Sequence, residues 1–128
     1  MIDKDLYAKG EQIRREVMGD ARVDASMASL DDFNRDFMEQ FITEMGWGAV
    51  WGREGLTRKQ RSLLNLGMLA ALGRMHEFEG HFRGAINNGL TREELREALL
   101  QITMYCGAPC GMEAFRAAAK VLQEEDAK

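Results

Sequence analysis

The regular spacing of residues that begin and end helices is the feature that most constrains how this sequence can fold. Its 128 residues contain 13 glycines and a single proline, Pro109. β-branched residues are sparse, and nowhere do four or more residues alternate between apolar and polar as they would in a half-buried strand. The sequence therefore predicts an all-α fold with about six helices.

Glycines and capping residues set the expected helix boundaries. We expect helices over about 3–18, from Asp31 to Gly46, from Thr57 to Gly73, over about 74–88, from Thr91 to Tyr105, and a last one after Pro109. Thr91 and Glu94 form a capping box, in which each side chain binds the backbone N–H of the other residue. Residues 19–30 are expected to connect the first two helices. Residues 46–55, which hold four glycines and two tryptophans, are expected to form a bent segment.

Phenylalanines dominate the second expected helix. Phe33, Phe37, Phe41 and Met45 recur every four residues. At α-helical geometry this spacing brings them to one side, so we expect a single, strongly apolar stripe.

Length and composition limit the possible functions. A chain of 128 residues with 45% hydrophobic content can bury one core, and we expect a single domain over residues 1–128. The net charge of −4 argues against the extended positive field that nucleic-acid binding needs. A local group of arginines can still hold a small anion.

No targeting or membrane-spanning segment is predicted. The first residues are charged and have no apolar run behind them. The longest nearly apolar stretch, Leu63–Leu72, is interrupted by Asn65 and Gly67 and has about half the length that a bilayer requires. A domain with its own core does not need a disulfide between Cys106 and Cys110, so we expect a reducing, cytoplasmic location.

The fourth expected helix carries the side chains with the clearest chemical use. Its apolar stripe is formed by Met75, Phe78, Phe82 and Ile86. Arg74, Glu77 and His81 lie along the border of that stripe. Glu77 and His81 are one turn apart, close enough for the carboxylate to hold the imidazole in one tautomer and to raise its basicity. This pattern places a cation, an acid and a proton-transfer group beside apolar walls, and it also fits an ordinary solvated helix face.

A metal site is not predicted. Glu77 and His81 can both contact a metal ion, but His76 lies on a different side of the helix. No further ligand motif occurs, so we expect no metal.

A series of motifs follows along the chain in a fixed order. Their residues are Gly19-Asp20, Val23-Asp24, Trp47-Gly48-x-x-Trp51-x-Arg53-x-Gly55-Leu56, Arg61-Ser62-Leu63-Leu64, Ala70-Ala71-Leu72-Gly73-Arg74, Glu77, His81, Ala85, Asn88-Gly89, Glu93 or Glu94, Glu97 and Tyr105-x-Gly107-x-Pro109. Over roughly residues 6–122 the sequence resembles the carboxymuconolactone decarboxylases, a family of the broader alkylhydroperoxidase-like group. The resemblance implies an all-α fold assembled as a homo-oligomer, usually a hexamer.

The resemblance also implies a reaction in aromatic-compound breakdown through the β-ketoadipate route, the decarboxylation of 4-carboxymuconolactone to 3-oxoadipate enol-lactone. In this substrate the departing carboxylate sits on a ring carbon that is conjugated through the double bond to the lactone carbonyl. The electron pair released with CO2 therefore reaches that carbonyl oxygen as a dienolate, and no cofactor is expected. The protein must bind the anion, stabilise the oxyanion and supply a proton.

We hypothesise a role in this reaction for each candidate residue. His81, oriented by Glu77, donates the proton or stabilises the dienolate. The candidates for substrate binding are Arg74 and Arg53 for the carboxylates, Trp47 and Trp51 as walls around the ring, and Tyr105 as a second donor. Alternatively, the tryptophans are core or subunit-interface anchors and the tyrosine is a core residue.

Other functions stay open at this point. Peroxidase-type members of the broader group bear Cys-x-x-Cys and a nearby His on the matching helix, where this chain has Arg74, Glu77 and His81; the difference favours non-redox chemistry. Cys106 and Cys110 lie on a different segment, where small apolar residues at a packed helix junction are expected. The alternatives are a thiol-dependent peroxidase or disulfide reductase using one of these cysteines, a related enzyme for another lactone or carbonyl acid, and a non-catalytic binding or assembly subunit.

Overall fold

The computed structural model describes residues 2–128 and shows helices without strands in that range. In chain order they are α1 (Lys4–Met18), α2 (Asp20–Ala28), a π-helix (Phe37–Val50), α3 (Arg58–Leu72), α4 (Met75–Asn87), α5 (Arg92–Cys106) and α6 (Ala108–Asp126). The all-α prediction is confirmed. The described residues form seven helices rather than about six, because α2 lies where a connection was expected. Within residues 2–128, no helix has the length and apolar content needed to cross a membrane.

The chain divides into two compact units, one ending at Thr57 and the other beginning at Arg58. The first contains α1, α2 and the π-helix, and the second contains α3 to α6. Each unit has its own cluster of buried apolar residues. The single domain expected over residues 1–128 stays a prediction.

In the first unit, α1 packs against the π-helix at backbone distance. A Cβ atom added at Gly10 would lie 2.1 Å from the carbonyl oxygen of Thr43, and one added at Gly48 would lie 2.6 Å from the carbonyl oxygen of Leu6. Neither position has room for a side chain, because the atoms in the way belong to the backbone. The two helices enclose a small core around Val17, which is fully buried.

The π-helix differs from the second expected helix in its end and in its buried face. It does not stop at Gly46: the backbone N–H of Trp51 donates to the carbonyl oxygen of Gly46 at 3.0 Å, in the i→i+5 pattern of a π-helix. The first half of the expected bent segment is therefore helical. Two phenylalanines of the expected stripe lie on the exposed side of this helix, where Phe37 and Phe41 are 50% and 54% exposed. The buried residues are instead Thr43, Glu44, Trp47 and Gly48.

α2 replaces most of the connection that was expected over residues 19–30. Its nine residues bury only Val23, so it carries no apolar periodicity by which the sequence could reveal it. Gly19, with φ +90°, lets the chain turn between α1 and α2. A guanidinium nitrogen of Arg15 lies 2.9 Å from a carboxylate oxygen of Asp24 and ties the two helices together.

In the second unit, α3 and α4 form a hairpin around Gly73, and α5 and α6 form another around Gly107. Both glycines have positive φ, +71° and +98°, which other residues rarely adopt. α4 packs on α6, and α3 packs on α5. The capping box expected at Thr91 and Glu94 is confirmed. The side chains buried most completely in this unit include Leu66, Phe78, Phe82, Leu99 and Val121.

Candidate active site

α4 carries the expected apolar stripe into the core of the second unit. Phe78 and Phe82 are almost fully buried, and their ring centroids lie 6.0 Å apart. Arg74 occupies the N-cap position of α4, Glu77 lies in its first turn, and both are exposed. His81 follows one turn later and is half-buried, so it lies between the core and the exposed face.

His81 contacts Asn65, which comes from α3. The amide nitrogen Nδ2 of Asn65 lies 3.3 Å from Nδ1 of His81. Burial lowers the pKa of His81, and the negative charge of Glu77 offsets part of this effect. The imidazole is therefore neutral at pH 7, so one ring nitrogen donates a hydrogen bond and the other accepts one.

Sequence reasoning did not single out Asn65. Its signal was an amide inside the apolar run 63–72, where asparagine is unfavourable unless its side chain has a purpose. The group that it contacts, His81, is 16 residues away on the next helix. No pattern within α3 alone reveals this contact.

A second amide joins α3 to α4 further along the hairpin. Nδ2 of Asn88 donates to Oγ of Ser62 at 2.9 Å, and Ser62 is fully buried. The same amide nitrogen lies 3.4 Å from the carbonyl oxygen of Arg58. This bond helps to fix the register of the two helices, and so the position of His81 opposite Asn65.

Arg61 is a further cation on α3. The sequence placed it in a motif but not among the candidate site residues. It lies one helical turn before Asn65, is half-buried, and has a buried Nε atom. Arg74 is exposed at the start of α4. The two helices that carry His81 and Asn65 therefore each bear a guanidinium group able to bind a carboxylate.

Trp47, Trp51 and Arg53 belong to the first unit. Trp47 is 7% exposed and packs with Ile13 and Val17. Trp51 is half-buried beside it, with ring centroids 4.7 Å apart, and Arg53 is exposed. Within this unit the tryptophans pack as core residues, one of the two expected interpretations, and their role as walls around a substrate stays a prediction.

Tyr105 and the two cysteines lie around the junction of α5 and α6. Tyr105 is 83% exposed, so its interpretation as a core residue is wrong. Cys106 is also exposed, whereas Cys110 is half-buried and its Sγ donates to the carbonyl oxygen of Ala70 at 3.2 Å. Burial, reinforced by Cys106, raises the pKa of Cys110. A raised pKa disfavours the thiolate that a nucleophilic cysteine needs.

The metal-ligating residue types are dispersed. In the part of the chain that the structure describes, no three His, Cys, Asp or Glu side chains are grouped as metal ligands. Glu77 and His81 are two such groups on one helix, and the amide of Asn65 on α3 contacts His81.

A cleft elsewhere in the second unit carries acidic side chains. It lies between α3 and α5, has a volume of about 590 Å³, and is lined in part by Glu93, Glu94 and Glu97. These carboxylates repel an anionic ligand. An anion is therefore better suited to the hairpin of α3 and α4, which carries Arg61 and Arg74 together with His81.

Comparison with known proteins finds the same family over most of the chain. The sequence model described as "Carboxymuconolactone decarboxylase family" matches residues 37–124. The chain is 41% identical over 124 residues to 4-carboxymuconolactone decarboxylase of Acinetobacter baylyi, covering 97% of this chain and 92% of that protein. It is 41% identical over 123 residues to nitrosuccinic acid decarboxylase of Metarhizium robertsii, covering 96% of this chain and 85% of that protein. A shorter match, 49% identical over 39 residues, covers 30% of this chain and 81% of a 4-carboxymuconolactone decarboxylase sequence from Pseudomonas putida.

Proposed function

The chain belongs to the carboxymuconolactone decarboxylase family, and from this premise we propose that it converts 4-carboxymuconolactone to 3-oxoadipate enol-lactone in the β-ketoadipate pathway of aromatic catabolism. It is an enzyme of the carboxy-lyase class. The observation that carries the proposed substrate is the 41% identity to a 4-carboxymuconolactone decarboxylase over 97% of the chain.

The reaction asks for acid–base chemistry and anion binding. When CO2 leaves, the electron pair of the broken C–C bond passes through the ring double bond to the lactone carbonyl oxygen, and a proton then adds to a ring carbon. A well-placed hydrogen-bond donor to such an oxygen contributes about 3 kcal/mol to the stability of the transition state. Because the lactone carbonyl of the substrate accepts the electron pair, the proposed reaction needs no cofactor.

We assign stabilisation of this oxyanion and transfer of the proton to His81: once the dienolate has formed, the ring takes up a proton from solvent, and the imidazolium gives this proton to the ring carbon. The neutral imidazole of the free protein has one N–H, which donates a hydrogen bond to the lactone oxygen as negative charge develops there. Glu77 opposes the effect of burial on the pKa of His81 and so keeps the ring basic enough to exchange a proton.

The carboxylates of the substrate are bound by arginines in this proposal. Arg74 and Arg61 are supported by their places on α4 and α3, the helices of His81 and Asn65. The residues that remain candidates from the sequence motifs are Arg53, Trp47, Trp51 and Tyr105.

Nitrosuccinic acid is a second candidate substrate, because the relative named for its decarboxylation is as similar to this chain as the first. Both compounds are dicarboxylates in which one carboxylate sits on a carbon that also bears a CH2–carboxylate arm. Both also place an electron-accepting oxygen in conjugation with the bond that breaks, on the lactone carbonyl or on the nitro group. We therefore propose that the site recognises this succinate-like unit, and the ratio of kcat/KM for the two compounds decides between them.

We also propose that the chain forms a homo-oligomer, a hexamer, in the cytoplasm. Three large apolar side chains spaced by four residues are exposed along α3: Leu64, Met68 and Leu72. An apolar face of this kind is typical of a surface that binds another protein subunit. The partners proposed are thus copies of the chain and a small carboxylated lactone, with no nucleic acid or membrane.

Incubation of the purified protein with 4-carboxymuconolactone, without added metal or thiol, tests the function by CO2 release and lactone absorbance. His81→Asn is expected to lower kcat by about two orders of magnitude or more, because the proton-transfer group is lost. His76→Asn is the matched control, since His76 is exposed on the same helix, and its kcat should stay unchanged.

Two outcomes would overturn this proposal in different ways. A fully active, folded His81→Asn variant removes His81 from the mechanism. A folded wild-type protein that turns over neither 4-carboxymuconolactone nor nitrosuccinic acid refutes the proposed substrates.

A further inference from the structure

We propose that Asn65 is a positioning residue that holds neutral His81 in the tautomer with its proton on Nε2, so that Nε2–H is the donor that faces the substrate. The part that concerns the substrate rests on the proposed function. The part that concerns the tautomer is a property of the free protein.

The contact between the two side chains identifies the nitrogen. Nδ2 of Asn65 lies 3.3 Å from Nδ1 of His81, and an amide nitrogen is a donor only. Nδ1 can accept this hydrogen bond only when it carries no proton. In a neutral imidazole the proton is then on Nε2.

The elements that carry the pair keep it in place. Both residues are half-buried and lie within helices, and Asn65 precedes the fully buried Leu66. The bond between Asn88 and Ser62 ties the same two helices together further along. A contact between two helices held in register is more precise than one made by a loop.

The charges around His81 do not select a ring nitrogen in the same direct way. On its own helix Glu77 raises the pKa of His81, but its side chain is exposed and its charge is screened by water. α3 contributes Asn65, which does not titrate, and Arg61 one turn before it. On the side of α4 that packs on α6, the charges include the ion pairs Arg83–Glu124 and Glu79–Lys120, with Glu113 and Arg116 of α6 beside the second pair. We therefore infer that Asn65 selects the tautomer of His81, whereas Glu77 raises the pKa of His81.

This assignment has a mechanistic consequence. Partners that fix the orientation and tautomer of metal-bound histidines change activity by about 10- to 100-fold when they are removed, and we expect an effect of this size for Asn65. The effect belongs in kcat, because the carboxylates that anchor the substrate are bound by other groups.

The test uses the free protein labelled with 15N and 13C in histidine. The ring nitrogen and carbon shifts of His81 are read at a pH above its pKa, and His81→Asn identifies the signal among the two histidines. The wild-type ring is expected in the Nε2–H form. Asn65→Asp replaces the donor with an acceptor, so the ring should change to the Nδ1–H form and its pKa should rise. Asn65→Leu should give a mixture of the two forms.

Asn88→Asp is the matched control, because it makes the same change in the other amide that joins α3 to α4, and there the hydroxyl of Ser62 can donate to the new carboxylate and keep the two helices in register. Its His81 signal should keep the wild-type tautomer. With substrate, Asn65→Asp and Asn65→Leu should lower kcat by about 10- to 100-fold with KM little changed, and the acid limb of the pH profile should move upward in Asn65→Asp.

The wild-type spectrum alone can overturn the assignment, whether or not any variant folds: a ring in the Nδ1–H form means that the amide of Asn65 is turned the other way. An unchanged tautomer in folded Asn65→Asp also overturns it. The expected tautomer in a protein without decarboxylase activity would refute the proposed function and leave the tautomer assignment in place.

Discussion

The chemistry of His81 is decided by burial more than by charge. Burial is the larger of the two influences on its pKa and lowers it, while Glu77 raises it. Because the unfolded chain exposes the imidazole to water, its pKa there is close to the ordinary value of 6.5. The unfolded state therefore binds a proton at a higher pH than the folded state does.

This difference predicts how stability depends on pH. A histidine with a lowered pKa contributes its full stability above about pH 6.5 and loses it as the pH falls towards the pKa of the folded state. The free energy of unfolding of the wild type, measured in urea, should fall between pH 7.5 and pH 5.5 by more than that of His81→Gln.

His76→Gln is the control for this measurement. It removes an exposed histidine from the same helix, so its stability should show the pH dependence of the wild type. Equal pH dependence in the wild type and in His81→Gln would show that protonation of buried His81 does not lower the free energy of unfolding.

At the scale of helices, the first unit depends on contact between backbones. Gly10 on α1 and Gly48 on the π-helix leave no space for a Cβ atom at the crossing. This close approach, together with the i→i+5 hydrogen bonding, turns Trp47 towards Ile13 and Val17. The position of the tryptophan is thus a result of packing between helices rather than of spacing along one helix.

Gly10→Ala should therefore destabilise the protein by about 3 kcal/mol, because the new methyl group meets the carbonyl oxygen of Thr43 and the helices must move apart. The midpoint of urea unfolding measures this effect, and near-ultraviolet circular dichroism follows the environment of the tryptophans.

Gly67→Ala supplies the contrast, since a Cβ atom there meets nothing within 4 Å. In the middle of α3 alanine should stabilise the helix by about 0.5–1 kcal/mol. A Gly10→Ala variant as stable as the wild type would mean that α1 and the π-helix are not in backbone contact.

At the scale of the whole molecule, large apolar side chains are exposed in both units. In the second unit they include Leu64, Met68 and Leu72 on α3, and Leu100 and Met104 on α5. Scattered exposed apolar residues are common, but a row at helical spacing is typical of an interface. Copies of the same chain are the proposed occupants.

Light scattering after size-exclusion chromatography checks this proposal. The wild type should have six times the chain mass of 14.5 kDa. The double substitution Leu64→Glu with Met68→Glu should give smaller species, because it places two like charges in the proposed interface.

Gln123→Glu adds a charge at an exposed polar position of α6 and should leave the mass unchanged. A monomeric wild type would overturn the oligomer, and an unchanged mass in the double variant would exclude this face of α3 from the interface.

The local signals in the sequence determined much of the fold. Gly19, Gly73 and Gly89 have positive φ and lie at three of the expected helix ends. Gly107 also has positive φ and lies at the expected break before the last helix. The capping box at Thr91 and the buried stripe with Phe78 and Phe82 were also predicted correctly. These features depend on residues within one or two helical turns, so a sequence pattern is sufficient to reveal them.

Only the tertiary structure decided the features that depend on contacts between helices. The π-helical winding is seen in hydrogen bonds five residues apart, and packing on α1 decides which side of this helix is buried, so that Trp47 is buried while Phe37 and Phe41 stay exposed. The contact of Asn65 with His81 depends on the register of α3 against α4. Arg74, Glu77 and His81 were placed along one helix by the sequence alone, but the side chain that faces the imidazole comes from another helix, which local spacing cannot specify.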